Sequence, residues 1–147
     1  MNSIPAMSTR GDAHTVTIGH GTAYDVYMLI HFASRFQPVE MSTYQLRKKM
    51  LEGNCWTDTR GKAFSPNDLI REFQRERSWE AVERKHPTWR KHIHRTKDAD
   101  YNCPLLMYLD EVIDGTHRIV RAFIEAVNNL RVIILEELPS MAVYRQR

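Results

Sequence analysis

Between Pro104 and Leu135 the hydrophobic spacing changes from strand-like to helical and back. Pro104-Leu105-Leu106-Met107-Tyr108-Leu109 is one apolar run of strand length. Asp110-Glu111 breaks it with a short acidic corner, and Val112-Ile113 resumes it. Asp114-Gly115-Thr116-His117-Arg118 is polar. Ile119 to Val127 then carries apolar residues at helical spacing, and Arg131-Val132-Ile133-Ile134-Leu135 is a β-branched run. Short apolar runs bounded by turn residues read as buried strands, and apolar residues at i, i+3 and i+4 read as one face of a helix. The order predicted is strand, tight turn, strand, polar loop, helix, strand.

Upstream the pattern is mostly helical. Residues 1–21 are small and polar and read as an N-terminal arm, in which Thr15-Val16-Thr17-Ile18 alternates as a short strand would. Thr22-Ala23-Tyr24-Asp25 offers a hydroxyl N-cap with an acid three residues on, predicting a helix over about 23–35 with Val26, Leu29, Ile30 and Ala33 inward. His31 on its flank reads as structural. Pro38 to Met41 is extended, and Ser42-Thr43-Tyr44-Gln45 is a second capping box, opening a helix that ends near Gly53. Asn54 to Gly61 reads as a loop with Trp56 tucked beneath it. Ser65-Pro66-Asn67-Asp68 is the clearest helix start: Ser at the N-cap, Pro at N1, an acid at N3. Leu69, Ile70 and Phe73 would face inward, and Arg71, Glu72, Arg75 and Glu76 outward. Another helix begins near Ser78 and stops before Pro87.

Composition narrows the class without naming a function. The 147 residues, 42% apolar and 27% charged, are enough for one domain with its own core. No window approaches the roughly 18 apolar residues of a membrane helix. The first residues have no basic and apolar leader pattern, so the expectation is a cytoplasmic protein without a membrane partner. Cys55 and Cys103 are far apart and in no metal-like spacing; two reduced thiols are the expected state. A net charge of +3 and a pI near 9.0 permit a phosphate-bearing partner without requiring one.

Two stretches carry candidate chemistry. In Asp114 to Arg118, the polar loop opens a helix whose first amides lack internal partners and whose dipole favours an anion. Gly115 allows a sharp turn, Thr116 can cap the helix or bond a phosphate oxygen, and Arg118 can grip an anion bidentately. His117 is a further donor, and Asp114 can orient His117, hold Arg118 or take a Mg²⁺ that accompanies a nucleoside phosphate. The same residues also suit an ordinary helix cap. Arg84 to Lys97 holds six Lys/Arg, three His and no acid. Arg84, Lys85, Trp89, Arg90, Lys91, Arg95 and Lys97 are the candidate contacts to a nucleic acid, a basic run with an aromatic in its middle. The alternative is a solvated helix face whose counter-charges lie on neighbouring elements. His86, His92 and His94 show His-x-His spacing, but no carboxylate or thiolate accompanies them, so no metal site is assigned.

Pro104-Leu105-Leu106 followed by Val112-Ile113-Asp114-Gly115-Thr116-His117-Arg118 and a helix containing Ala122 resembles the ParB/sulfiredoxin-like superfamily, in its Asp-Gly-x-His-Arg subgroup. Pro38 to Met41 resembles that family's first strand, and Asp100-Tyr101 with Pro104 its run into the second. The resemblance implies a nucleotide-phosphate loop made by Gly115, Thr116, His117 and Arg118, with Asp114 and His117 as the groups nearest any reaction. It supplies no catalytic base; Glu40 and Asp58 are the candidates. Thr116 stands where sulfiredoxin has its reactive cysteine, so that activity is not expected. The chain stops at Arg147, short of the DNA-binding and dimerisation regions of partition proteins, so their DNA sliding is not expected either. The material over about 43–97 exceeds the minimal fold and reads as a helical insertion capping the pocket.

The expected fold is α+β: a small mixed sheet flanked by helices, in one domain over residues 22–147. Three functions remain open. One is a nucleotide- or phosphate-binding protein, with nucleotide hydrolase or phosphotransferase activity as an extension. The others are a nucleic-acid-binding module, nuclease-type included, and a non-catalytic interaction protein on the same fold.

Overall fold

The computed structural model describes residues 14–18, 21–50 and 56–145. In chain order they form β1 (Thr15–Ile18), β2 (Thr22–Asp25), α1 (Val26–Ala33), β3 (Val39–Ser42), α2 (Thr43–Met50), β4 (Trp56–Thr57) and β5 (Ala63–Phe64). There follow α3 (Pro66–Glu76), α4 (Trp79–Lys85), a 3₁₀ turn (Pro87–Trp89), α5 (Arg90–Lys97), β6 (Leu105–Tyr108), β7 (Glu111–Asp114), α6 (Thr116–Ile124) and β8 (Asn129–Leu135), with a last 3₁₀ turn at Ser140–Ala142. The fold is α+β, with a mixed four-stranded sheet in the order β3-β8-β6-β7 and two small hairpins, β1-β2 and β4-β5.

The stretch from Pro104 to Leu135 folds as its spacing predicts. β6 pairs antiparallel with β7 and parallel with β8, and α6 makes the crossover that parallel neighbours need. Leu109 is the exception: it leaves the strand, takes a left-handed φ of 50° and is exposed, so it forms the turn. The register slips by one residue between Leu106 opposite Asp114 and Met107 opposite Val112. That bulge re-aims the end of β7 just before the polar loop.

Alternation along the strands divides the core between the two faces of the sheet. Leu105, Met107, Leu130 and Val132 join Leu46, Leu69, Ile70, Ile93, Ile119 and Val120 in the larger cluster, beneath α2, α3, α5 and α6. Leu106, Ile133 and Leu135 face the other way, against Ile18, Leu29 and Ala33 of β1 and α1. The segment expected as a helical insertion therefore contributes much of one core layer, and it includes the β4-β5 hairpin.

Ser65 and Asp68 form the reciprocal capping box expected of them, and Ser78 caps α4 through the amide of Ala81. The expected helix start at Thr22 is corrected. Residues 22–25 are a strand paired with β1, and Asp25 is the N-cap, accepting from the amide of Met28 at 3.1 Å. Ile30, expected inward, is exposed. Ser42 caps α2 through the amide of Gln45 at 3.1 Å; the expected end near Gly53 lies outside the described residues. The N-terminal arm is a strand over 15–18, and residues 1–13 likewise lie outside. Cys103 is a free, exposed thiol, and Cys55 is not described. No helix among the described residues is long and apolar enough to cross a membrane.

Candidate functional site

The polar loop sits where β7 passes into α6. Gly115 occupies the N-cap position at φ 116°, and no side chain among the described residues caps the helix. A Cβ at Gly115 would lie 2.7 Å from Cγ of Leu105, so this glycine is required by the packing beneath it as well as by its backbone angle. The uncapped first turn opens into a cleft of about 1350 Å³ lined by Gly115, Thr116 and His117 and faced by Lys91 and Arg95 of α5. Its far wall includes His14 and Thr15 of the N-terminal hairpin.

Arg118 does not face this cleft. Its Nη1 donates to the carbonyls of Cys103 and Pro104, the latter at 2.7 Å, and its Nη2 donates to Oδ2 of Asp114 at 2.9 Å. The guanidinium thereby ties the start of α6 to the chain entering β6. Thr116 accepts a hydrogen bond from Nε1 of Trp56 at 3.2 Å.

The centre of the cleft is a pair of histidines that the sequence does not connect. His117 Nε2 and His92 Nδ1 are 2.9 Å apart, and His92 Nε2 lies 2.9 Å from the carbonyl oxygen of Thr57. The imidazole planes differ by 13° and their centroids are 5.2 Å apart, a separation that places the hydrogen bond edge to edge in a shared plane. The Trp56 indole lies parallel to both rings, 4.5 Å from His92 and 4.6 Å from His117. Burial pushes the His117 pKa down to about 3, helped by His92, Arg95 and Arg118; burial also lowers that of His92, with Arg95 and Lys91 acting the same way. His117 is therefore neutral at pH 7.

The basic run divides. Lys91 and Arg95, one turn apart on α5, face the cleft, while Arg84, Arg90 and Lys97 are exposed elsewhere. None of these five makes an ion pair among the described residues. Lys85 pairs with Glu72 at 3.0 Å and with Glu76 at 3.6 Å, and His94 lies 3.4 Å from Glu83. Trp89 is stacked on both Phe64 (4.7 Å, 3°) and His86 (3.8 Å, 5°), which makes it a packing element beside β5.

The base candidates separate as well. Glu40 lies exposed on the edge strand β3, opposite Arg131, and is not part of the cleft wall. Asp58 lines the cleft, but its Oδ1 accepts from the amides of Lys62 and Arg60 at 2.8 Å each, and these bonds, that to Lys62 foremost, hold its carboxyl below the usual range. Asp114 keeps Oδ1 without a hydrogen bond among the described residues. Among those residues no three His, Cys, Asp or Glu side chains gather to hold a metal ion. The donor set suits at most an ion that brings phosphate oxygens with it, since Mg²⁺ in nucleotide sites takes one or two carboxylates.

Sequence spacing missed His92, Trp56 and Lys49. Lys49 lines the cleft from α2 and bonds Asp110 at 2.7 Å. The one available signal was helical: Arg95 follows Lys91 by four residues and His92 by three, so His92 shares a face of α5 with the two cations. In comparisons with protein-family models, curated proteins and solved structures, nothing matches this chain.

Proposed function

We propose that this chain is a cytoplasmic phosphate- or nucleotide-binding protein of ParB-like type. One observation carries the reading: the N-terminus of α6, without a side-chain cap among the described residues, opens into the cleft beside Lys91 and Arg95, two cations that make no ion pair among those residues. First-turn amides, a favourable dipole and nearby cations make up the chemistry of an anion site. The cleft is large enough for a nucleotide. In this reading the amides of Thr116 to Arg118 and the Thr116 hydroxyl hold the phosphate, and Lys91 and Arg95 neutralise it. Asp114 Oδ1 would take a Mg²⁺ carried in by a nucleoside phosphate, which would add charge neutralisation there. Arg118 acts by holding the loop in shape. Any hydrolase or phosphotransferase activity would rest on positioning and electrostatics more than on covalent chemistry.

The test is a thermal-shift screen of nucleoside mono-, di- and triphosphates, with and without Mg²⁺, on wild type and on a Lys91→Ala/Arg95→Ala double variant. A ligand at 100 times its Kd adds about 2.7 kcal/mol, which in a domain of this size raises Tm by roughly 5–10 °C. The double variant should lose most of that rise. No shift with any nucleotide sinks the reading. An undiminished shift in the double variant moves the site away from this cleft.

A second reading has its own observation. Arg84, Arg90, Lys91, Arg95 and Lys97 are exposed and without acidic partners among the described residues, as a nucleic-acid face requires. Steep loss of affinity with added salt would favour that reading over a nucleotide pocket.

A further inference from the structure

We infer that His92 is a positioning residue that fixes the tautomer of His117, so that His117 presents a bare Nδ1 to the cleft and selects a phosphate ester carrying a hydroxyl. The ligand half rests on the phosphate-site reading above; the tautomer half does not.

The hydrogen-bond chain has only one polarity. A backbone carbonyl accepts and never donates, so His92 Nε2, 2.9 Å from the oxygen of Thr57, must carry its proton. A neutral His92 then has its lone pair on Nδ1. The atom 2.9 Å from that lone pair is His117 Nε2, which must therefore donate. A neutral His117 with hydrogen on Nε2 has none on Nδ1. Nearby positive charge disfavours an imidazolium: Lys91 and Arg95 of α5 face the cleft, and Arg118 of α6, turned away from it, acts through its charge. The acids on the same wall are engaged elsewhere, Asp114 with Arg118 and Asp58 with its own turn amides. The remaining titratable groups lining the cleft are His14, Tyr27, Lys49 and Glu111.

Nδ1 of His117 has no hydrogen-bond partner among the described residues. His117 lines the cleft, so that is where its free lone pair is reachable. An acceptor there complements an O–H and repels a fully ionised oxygen. Beside it the α6 amides and the two cations favour an anion. The pair of requirements fits a phosphate monoester with a neighbouring hydroxyl better than it fits inorganic phosphate. Trp56, stacked on both rings, holds them in the common plane that the relay needs.

Long-range ¹⁵N–¹H spectra of the histidine side chains at pH 7, with no ligand, read the tautomer directly. The expected result is one Nε2–H tautomer for His117 in wild type and a mixture in His92→Phe, which keeps a ring beneath Trp56 but no nitrogen. His92→Gln, whose amide can donate to Thr57 and accept from His117, should restore the Nε2–H form. An Nδ1–H or imidazolium His117 in wild type overturns the inference, even if His92→Phe fails to fold. So does an unchanged tautomer in a folded His92→Phe. In a second arm, adenosine monophosphate and inorganic phosphate are titrated. The nucleotide should bind more tightly, and His92→Phe should lose roughly five- to tenfold of that preference, the worth of one hydrogen bond, while inorganic phosphate is unaffected. An unaltered preference overturns the ligand half. If no phosphate compound binds wild type, the phosphate-site reading fails and the ligand half with it, while the tautomer result still decides the positioning role.

Discussion

Arg118 and Asp114 lie one helical turn apart and are joined by a 2.9 Å hydrogen bond between guanidinium and carboxylate. Together they link the end of β7 to the first turn of α6, and the other side of the guanidinium caps the carbonyls of Cys103 and Pro104. The Arg118 side chain is only 12% exposed, and its removal leaves two part-buried acceptors, the Pro104 carbonyl and the Asp114 carboxylate, without this donor. Arg118→Ala should cost about 2–3 kcal/mol in urea unfolding. Arg118→Lys should recover only part of it, because an ammonium lacks the planar fork. Loss of ligand binding in Arg118→Ala would then report loop distortion and not a lost phosphate contact.

Gly115 offers a sharper contrast among glycines. Gly115→Ala places a methyl group against Leu105 at a left-handed φ and should destabilise by about 3 kcal/mol, combining overpacking with backbone strain. Gly61→Ala, at φ 81° with nothing within 4 Å of the new Cβ, should cost only about 1 kcal/mol. Equal costs in chemical denaturation would contradict the close approach to Leu105.

The histidine pair predicts a pH dependence. Folding lowers the pKa of His117 from near 6.5 to about 3, so above pH 6.5 neither state takes up the proton and the stability is fully present. As pH falls from about 6.5 toward 3, the unfolded chain binds a proton that the folded site excludes, and stability declines. The slope from His117 alone is about 1.4 kcal/mol per pH unit. Carboxylates titrate in the lower part of that window, so the useful quantity is the difference between wild type and His117→Asn. The variant should show the shallower loss between pH 6.5 and 4.5; parallel curves would mean that His117 is not held neutral.

Ser65→Ala tests the local logic of α3. The hydroxyl accepts from the amide of Asn67 at 3.1 Å, and Asp68 returns a bond to the amide of Ser65 at 2.9 Å. Removing the hydroxyl should cost about 1 kcal/mol, measured by thermal or urea unfolding.

Much of this fold is visible in the sequence where local rules and tertiary structure agree. The strands β6, β7 and β8 and the helix α6 follow from hydrophobic period, and α3 and α4 follow from their caps. Thr22 to Asp25 failed because Thr-x-x-Asp looks like a capping box whichever residue is the cap; a strand partner at Thr15–Ile18 decided the matter. The site was half legible. Gly115 and Thr116 stand at a helix start, as their motif says. The direction of the Arg118 guanidinium was not readable, because phosphate oxygens and backbone carbonyls ask for the same donor. His92 lies 25 residues before His117, and only the packing of α5 on α6 brings their rings together.

The central claim is that the first turn of α6 is an anion site. Backbone ¹⁵N–¹H spectra recorded during a nucleotide titration test it most directly. The account predicts that the amides of Thr116, His117 and Arg118 move most and saturate together with the side-chain signal of Arg95. Shifts absent from that turn, or confined to Arg84, Arg90 and Lys97, would contradict it.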